Sequence, residues 1–188
     1  MKLFNTRNEM VKGLVEKNST CAEIGVFEGV FSKYILEAIQ PRTLYMIDLF
    51  QGLCDSGNED GNNVVNRNMD DMYFKLLREM YTEPSVHILK GNSIDILRAF
   101  PDNALDMIYI DGDHSYNGCK HDLSLAYEKV KNGGWIMGHD YEMNMVKART
   151  YYNFGVKQAV DEFCNTRKQE IHAKALDGCV SFAIQLQK

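Results

Sequence analysis

No run in this sequence approaches the ~20 consecutive apolar residues that a membrane-spanning helix needs. The opening residues, Met1-Lys2-Leu3-Phe4-Asn5-Thr6-Arg7, lack the apolar stretch of a secretory signal. The expectation is a soluble chain of a reducing compartment, the cytoplasm, in which the Asn18-Ser19-Thr20 sequon is accidental. Cysteine is sparse. Of Cys21, Cys54, Cys119, Cys164 and Cys179, no two stand at C-x-x-C spacing and the count of 5 is odd, so neither a zinc knuckle nor a closed disulfide framework is indicated. Cys119, Cys164 and Cys179 fall inside apolar patterns and read as small buried hydrophobes. An excess of positive charge is missing too. Lys plus Arg is 21 against 26 for Asp plus Glu, a net charge of −5, which argues against nucleic acid or an anionic membrane as the main partner.

What is present is ordinary globular composition. The chain has 188 residues, 45% apolar and 25% charged, and reads as a single domain over residues 1–188. A domain of this length buries roughly 70% of the surface its unfolded chain exposes, enough for a core without staples.

Strand and helix patterns alternate almost to the end. Cys21 to Val26 is a short apolar run, followed by Phe31, Tyr34, Ile35, Ala38 and Ile39 at the spacing of one buried helix face. Pro41 stops that helix, and Leu44 to Ile47 reads as a second strand ending at Asp48. Val86 to Leu89 and Leu105 to Ile110 are the third and fourth. Cys119, Leu123, Ala126, Tyr127 and Val130 line the next helix, Gly133-Gly134 ends it, and Trp135-Ile136-Met137 is a fifth strand. Such strands, apolar throughout, form a parallel sheet covered on both faces. A helix marked by Val156, Ala159, Val160 and Phe163 follows. Ile171 to Leu176 and Val180 to Leu186 then flank Asp177-Gly178 as a hairpin. Gly52 to Asn63 reads as a long mobile loop without the calcium-loop pattern, and Tyr141 to Asn153 has no clear periodicity. Both leave the carboxyl ends of parallel strands, where open α/β sheets bind ligands.

The polar residues collect at that same edge. The first strand ends in Glu23-Ile24-Gly25-Val26-Phe27-Glu28-Gly29, the second in Asp48, and Gly91-Asn92-Ser93 opens the helix after the third. The fourth ends in Asp111-Gly112-Asp113-His114 and the fifth in Gly138-His139-Asp140. Any one of these could be turn or cap chemistry; five on one edge indicate a site. The dinucleotide fingerprint G-x-G-x-x-G is not met, and a pyrophosphate would find Glu23 and Glu28 unfavourable neighbours. A phosphate-free cofactor with a positive centre suits this rim, with Asp48 placed for a ribose diol.

Glu23-x-Gly25-x-x-x-Gly29 with Asp48 resembles the cofactor signature of class I S-adenosylmethionine-dependent methyltransferases. The Asp111-Gly112-Asp113-His114-Ser115-Tyr116 run and Gly133 to Tyr141 resemble the branch of small-molecule and sugar O-methyltransferases. The resemblance covers roughly Thr20 to Tyr141 and implies a doubly wound, Rossmann-like α/β sheet. That sheet is mostly parallel, with a C-terminal antiparallel hairpin and strand order 3-2-1-4-5-7-6. It implies that Glu23 and Gly25 hold the methionine end of the cofactor, that Phe27 and Gly29 belong to the cofactor site, that Asp48 binds the ribose with Leu49 beside it, and that Asn92 and Ser93 meet the adenine or ribose. Asp111 is implied near the methionine amine or a metal. In the sugar enzymes of this group an aspartate at that position and two adjacent carboxylates bind magnesium. Here the pair is His139-Asp140, a departure, because histidine suits Zn, Mn, Fe or Ni better than Mg.

The reaction so implied is methyl transfer from a sulfonium to a hydroxyl of a small molecule, in which positioning does most of the catalysis. Asp113, His114 or His139 would take the hydroxyl proton, or a metal at Asp111, His139 and Asp140 would acidify it. A metal-dependent hydrolase built on the Asp/His cluster, or a non-catalytic cofactor-binding module, are the other readings. A lid from a second subunit, making a homo-oligomer, is a further expectation.

Overall fold

The computed structural model describes residues 1–51, 53–57, 64–142 and 155–188. Among them no helix is long and apolar enough to cross a membrane. The chain begins with strand β1 (Lys2–Phe4), helix α1 (Arg7–Leu14), β2 (Thr20–Ile24), α2 (Val30–Ile39) and β3 (Thr43–Asp48). A hairpin of β4 (Leu53–Gly57) and β5 (Val64–Asn68) leads into α3 (Met69–Glu79), β6 (Val86–Lys90) and α4 (Ser93–Arg98). Then come β7 (Leu105–Ile110), α5 (Tyr116–Lys129), β8 (Val130–Glu142), α6 (Val156–Arg167), β9 (Ala173–Ala175) and β10 (Val180–Gln185).

The main sheet runs β6-β3-β2-β7-β8-β10-β9, the order expected from sequence, with β1 added beyond β9. Ladders from β6 to β8 are parallel, and β10 is antiparallel to both β8 and β9. Apolar side chains on the two sheet faces pack against different helices. One cluster joins Met46, Met107 and Tyr109 to α1, α2 and α3; the other joins Ala22, Ile108 and Ile136 to α5 and α6. Each fully buried Ile, Leu or Met contributes roughly 1.5–3 kcal/mol of transfer free energy. Strand order reverses between β2 and β7, so the crevice of the fold opens at their carboxyl ends.

Local signals account for most elements. α2 buries Phe31, Ile35 and Ile39 and stops at Gln40, left-handed ahead of Pro41. Its N-terminus turns on Gly29, where a Cβ would stand 2.5 Å from Leu76.

Four expectations change. Leu53–Gly57 of the presumed loop is a strand paired with Val64–Asn68, because cross-strand pairing compensates for weak local propensity; Gly52 and residues 58–63 lie outside the described residues. Helix α5 ends at Lys129, not at Gly133. Val130 already pairs with Leu105, and Gly133-Gly134 falls inside β8 at an irregularity in that ladder. A Cβ on Gly134 would lie 2.8 Å from the Asp106 carbonyl oxygen, so glycine is needed for a close approach there rather than for a helix cap. Cys119 is buried as expected, but Cys164 and Cys179 are only half-buried. Of the unassigned stretch after the fifth strand, Tyr141 and Glu142 complete β8 and residues 143–154 lie outside the described residues.

Candidate active site

A cleft of about 660 Å³ opens over the carboxyl ends of β2, β3, β6 and β7. The backbone brings β2 and β7 together at its floor, where Asp111 N–H donates to the Ile24 carbonyl at 2.8 Å. Gly25 sits in this crossing with φ +83°, and a Cβ there would stand 1.9 Å from the Asp111 carbonyl oxygen. Only glycine lets the turn after β2 lie that low.

Asp48 shapes the same turn. Its Oδ2 accepts the N–H groups of Val26 (2.8 Å) and Phe27 (3.0 Å), and its Oδ1 accepts that of Phe50 (2.8 Å). Phe27, at φ +51°, and Leu49, 53% exposed, line the cleft beside it. At the far side the Asn92 side chain caps α4 by accepting the Ile94 N–H at 2.9 Å, and the Ser93 hydroxyl donates to Asp122 at 2.7 Å. Asp122 is 2% exposed, and burial pushes its carboxyl up to about 6, with the Ser93 hydrogen bond opposing.

Glu23 lies beneath the cleft and does not line it. It is 2% exposed, accepts a hydrogen bond from the Ser32 hydroxyl, and burial pushes its carboxyl up to about 8. Gly29 likewise serves the start of α2, not the cleft wall.

At the other end of the cleft four side chains from two strand ends converge. His114 Nε2 is 2.9 Å from Asp140 Oδ2 and 3.3 Å from Asp111 Oδ1. His139 Nδ1 is 3.3 Å from Asp140 Oδ1 and 3.8 Å from Asp111 Oδ1. Hydrogen bonds to Asp111 and Asp140 outweigh burial and raise the His114 imidazole to about 10. Burial works against ionisation of Asp140, but its bonds to the two histidines hold it well below the usual carboxylate range. Asp140 takes φ +57°, which turns its carboxylate back toward both rings.

Asp113 is not part of this group. It is exposed, accepts the Ser115 N–H at 2.8 Å and packs against Gly118 at the start of α5. It lines the cleft, and its charge acts on Asp122.

Two further residues escape sequence reasoning. Arg7, from α1, reaches Asp111 Oδ2 at 3.1 Å while its guanidinium lies 4.5 Å from the Phe31 ring centroid. Its own N–H is held by Asp177 in the β9–β10 turn at 2.8 Å. Nothing local in residues 1–14 announces that contact. Asp122 did carry a signal, an acid on the apolar face of α5 between Cys119 and Ala126.

Asp111, His139 and Asp140 offer one donor atom each, all within 4.8 Å of one another. This set does not fit magnesium, which prefers an all-oxygen octahedron; a mixed imidazole–carboxylate set fits first-row transition metals.

Comparison with known proteins agrees with this layout. Residues 22–141 match the methyltransferase domain family, an interval that runs from β2 to the end of β8 and takes in every strand bordering the cleft. Over 141 residues the chain is 27% identical to an uncharacterized protein of Acanthamoeba polyphaga mimivirus, covering 74% of this chain and 59% of that one. Over 138 residues it is 29% identical to the demethyldecarbamoylnovobiocin O-methyltransferase of Streptomyces niveus, covering 64% and 52%. The chain thus spans a little over half the length of these two curated relatives. A SAM-dependent methyltransferase from Aquifex aeolicus has the same fold, with a TM-score of 0.64 at 15% identity, covering 97% of this chain and 91% of that one. The chain therefore belongs to the methyltransferase domain family and carries the fold of S-adenosylmethionine-dependent methyltransferases.

Proposed function

We propose that this protein transfers the methyl group of S-adenosylmethionine to a hydroxyl of a small molecule. The observation that carries the reading is the continuity of one cleft. It runs from Asn92, Ser93 and Asp122, past Asp48 and the Gly25 turn, to Asp111 and His114, with His139 and Asp140 bonded behind them. The bound cofactor would supply an electrophilic methyl group. A carboxylate has about four acceptor sites, and Asp48 uses three on backbone N–H groups, leaving capacity for a ribose hydroxyl. Asn92, Ser93 and Asp122 would then border the adenosine, and Phe27 and Leu49 would cover it.

The acceptor hydroxyl must lose a proton near the Asp111–His114–His139–Asp140 cluster. His114, held protonated between Asp111 and Asp140, would orient the group rather than take the proton. His139, bonded to Asp140 Oδ1, is the side chain we favour as the base over Asp113, whose carboxylate serves the turn into α5. The −5 net charge favours a small neutral or cationic acceptor over nucleic acid. A hydrolase built on the same cluster would leave the Gly25–Asp48 half of the cleft without a role.

The test is calorimetric titration with S-adenosylhomocysteine, followed by methyl-transfer assays over a panel of phenols and sugars. Micromolar binding, weakened by Asp48→Ala in protein that still melts cooperatively, is the expected result. His114→Ala should retain that binding and lose turnover. Failure of the wild-type protein to bind S-adenosylhomocysteine would overturn the reading, and binding without turnover on any acceptor would favour a cofactor-binding module.

A further inference from the structure

Magnesium is the ion that the resemblance implies for the histidine end of the cleft, and the side chains gathered there are the wrong ones for it. Two of the four are imidazoles. Asp111 cannot chelate through both oxygens, because Oδ2 is tied to Arg7 at 3.1 Å and only Oδ1 faces the cluster. Asp140 is 9% exposed and directs one oxygen toward each ring. The donor-to-donor distances around the cluster are 2.9, 3.3, 3.3 and 3.8 Å. Donors bound at about 2.0–2.2 Å to one ion in tetrahedral or octahedral array stand roughly 3.0–3.5 Å apart. These four distances join five atoms, because Asp140 meets His114 through Oδ2 and His139 through Oδ1; the three donors that lie within 4.8 Å of one another, close enough to share one ion, belong to Asp111, His139 and Asp140.

We propose that Asp111, His139 and Asp140 form a site for a first-row transition-metal dication, of the zinc, manganese or cobalt class, that discriminates against magnesium, with His139 as the residue that sets the preference. The chemistry follows from the donors. Imidazole nitrogen is a good ligand for these ions and a poor one for Mg²⁺, which gives up its water only for hard oxygens. His114 stands outside this set and holds its two carboxylates in place, through Asp140 Oδ2 at 2.9 Å and Asp111 Oδ1 at 3.3 Å. Arg7, through Asp111 Oδ2, is the outer partner that orients this ligand. The inference rests on the methyl-transfer reading and deepens it: with the ion bound, His139 would be a ligand and not a base, and the ion would supply the acidification of the acceptor hydroxyl.

The experiment uses the full chain, free of tags and stripped of metal, titrated with Co²⁺, Zn²⁺ and Mg²⁺ by calorimetry and followed for Co²⁺ by visible absorption. The wild-type protein should bind Co²⁺ and Zn²⁺ at micromolar concentration, with ligand-field bands characteristic of nitrogen ligation, and give no heat with millimolar Mg²⁺. Transition metals outrank magnesium at most sites, so the decisive readout is His139→Asp. It should lower the Co²⁺-to-Mg²⁺ affinity ratio at least about tenfold, or ~1.4 kcal/mol, and shift the bands. His139→Gln, uncharged and a weak donor, should lose Co²⁺ without gaining Mg²⁺. A ratio unchanged by His139→Asp, or equal wild-type affinities for Co²⁺ and Mg²⁺, would overturn the proposal. S-adenosylhomocysteine is titrated in parallel. Its binding in protein that takes up no metal would sink this inference alone, whereas metal binding without it would sink the methyl-transfer reading alone.

Discussion

Glu23 offers a direct measurement of how deeply the tertiary structure has altered a residue of the glycine-turn motif. Its carboxyl is 2% exposed, accepts one hydrogen bond from Ser32, and is pushed by burial from 4.5 up to about 8. A carboxyl whose pKa is higher in the folded than in the unfolded chain binds its proton more tightly when folded. Its contribution to stability is therefore complete below pH 4.5 and is lost as pH rises to about 8. The loss is about 1.4 kcal/mol for each pH unit across that interval, on the order of 5 kcal/mol in all. Glu23→Gln keeps an oxygen for the Ser32 hydroxyl and cannot ionise. Urea unfolding of wild type and variant at pH 5 and pH 8.5, each at constant ionic strength, isolates the effect, because other groups titrate equally in both. The variant should be close to wild type at pH 5 and more stable by several kcal/mol at pH 8.5. A difference that is the same at both pH values would refute the reasoning and mean that the Glu23 carboxylate is already satisfied as an ion.

Two further perturbations probe the cleft floor and its outer support. Gly25→Ala forces a Cβ to within 1.9 Å of the Asp111 carbonyl oxygen at φ +83°, so the turn must lift off β7. The expected result is a stability loss above about 2 kcal/mol with S-adenosylhomocysteine binding abolished; unchanged binding would show that the turn can rise without harm. Arg7→Gln removes the ion pair with Asp111 and the contact with Phe31, and should cost about 2 kcal/mol in urea unfolding, the usual loss for a hydrogen bond to a charged group. Arg7→Lys should recover only part of it, because an ammonium cannot spread over the Phe31 face as a guanidinium does. Equal stabilities for all three proteins would mean that α1 docks through its apolar face alone.

The periodicities were enough to place β2, β3, β6, β7 and the helices α2, α5 and α6, because burying one face of each element is a local demand written in residue spacing, whereas α1 and α3 were not read from it. The same pattern put Asp48, Asn92, Asp111 and His139 at one edge of the sheet, since each follows the apolar run that ends a strand. Two kinds of information were not in that pattern. One is pairing that compensates for weak propensity, as in the β4–β5 hairpin and the β1–β9 edge. The other is which polar atom each side chain finally meets.

The sequence by itself determined the alternation of strands and helices, and with it the site's location at the carboxyl edge. It also determined the chemical kinds of residue available there. Only the tertiary structure decided their employment. It sank Glu23 under the cleft, spent most of Asp48 on the backbone, turned Asp113 toward α5, and brought Arg7 to an aspartate 104 residues away. The physical reason is range. Burial periodicity is set by neighbours three or four positions apart, whereas a hydrogen-bond or ion-pair partner is chosen among whatever the finished packing brings within about 3 Å.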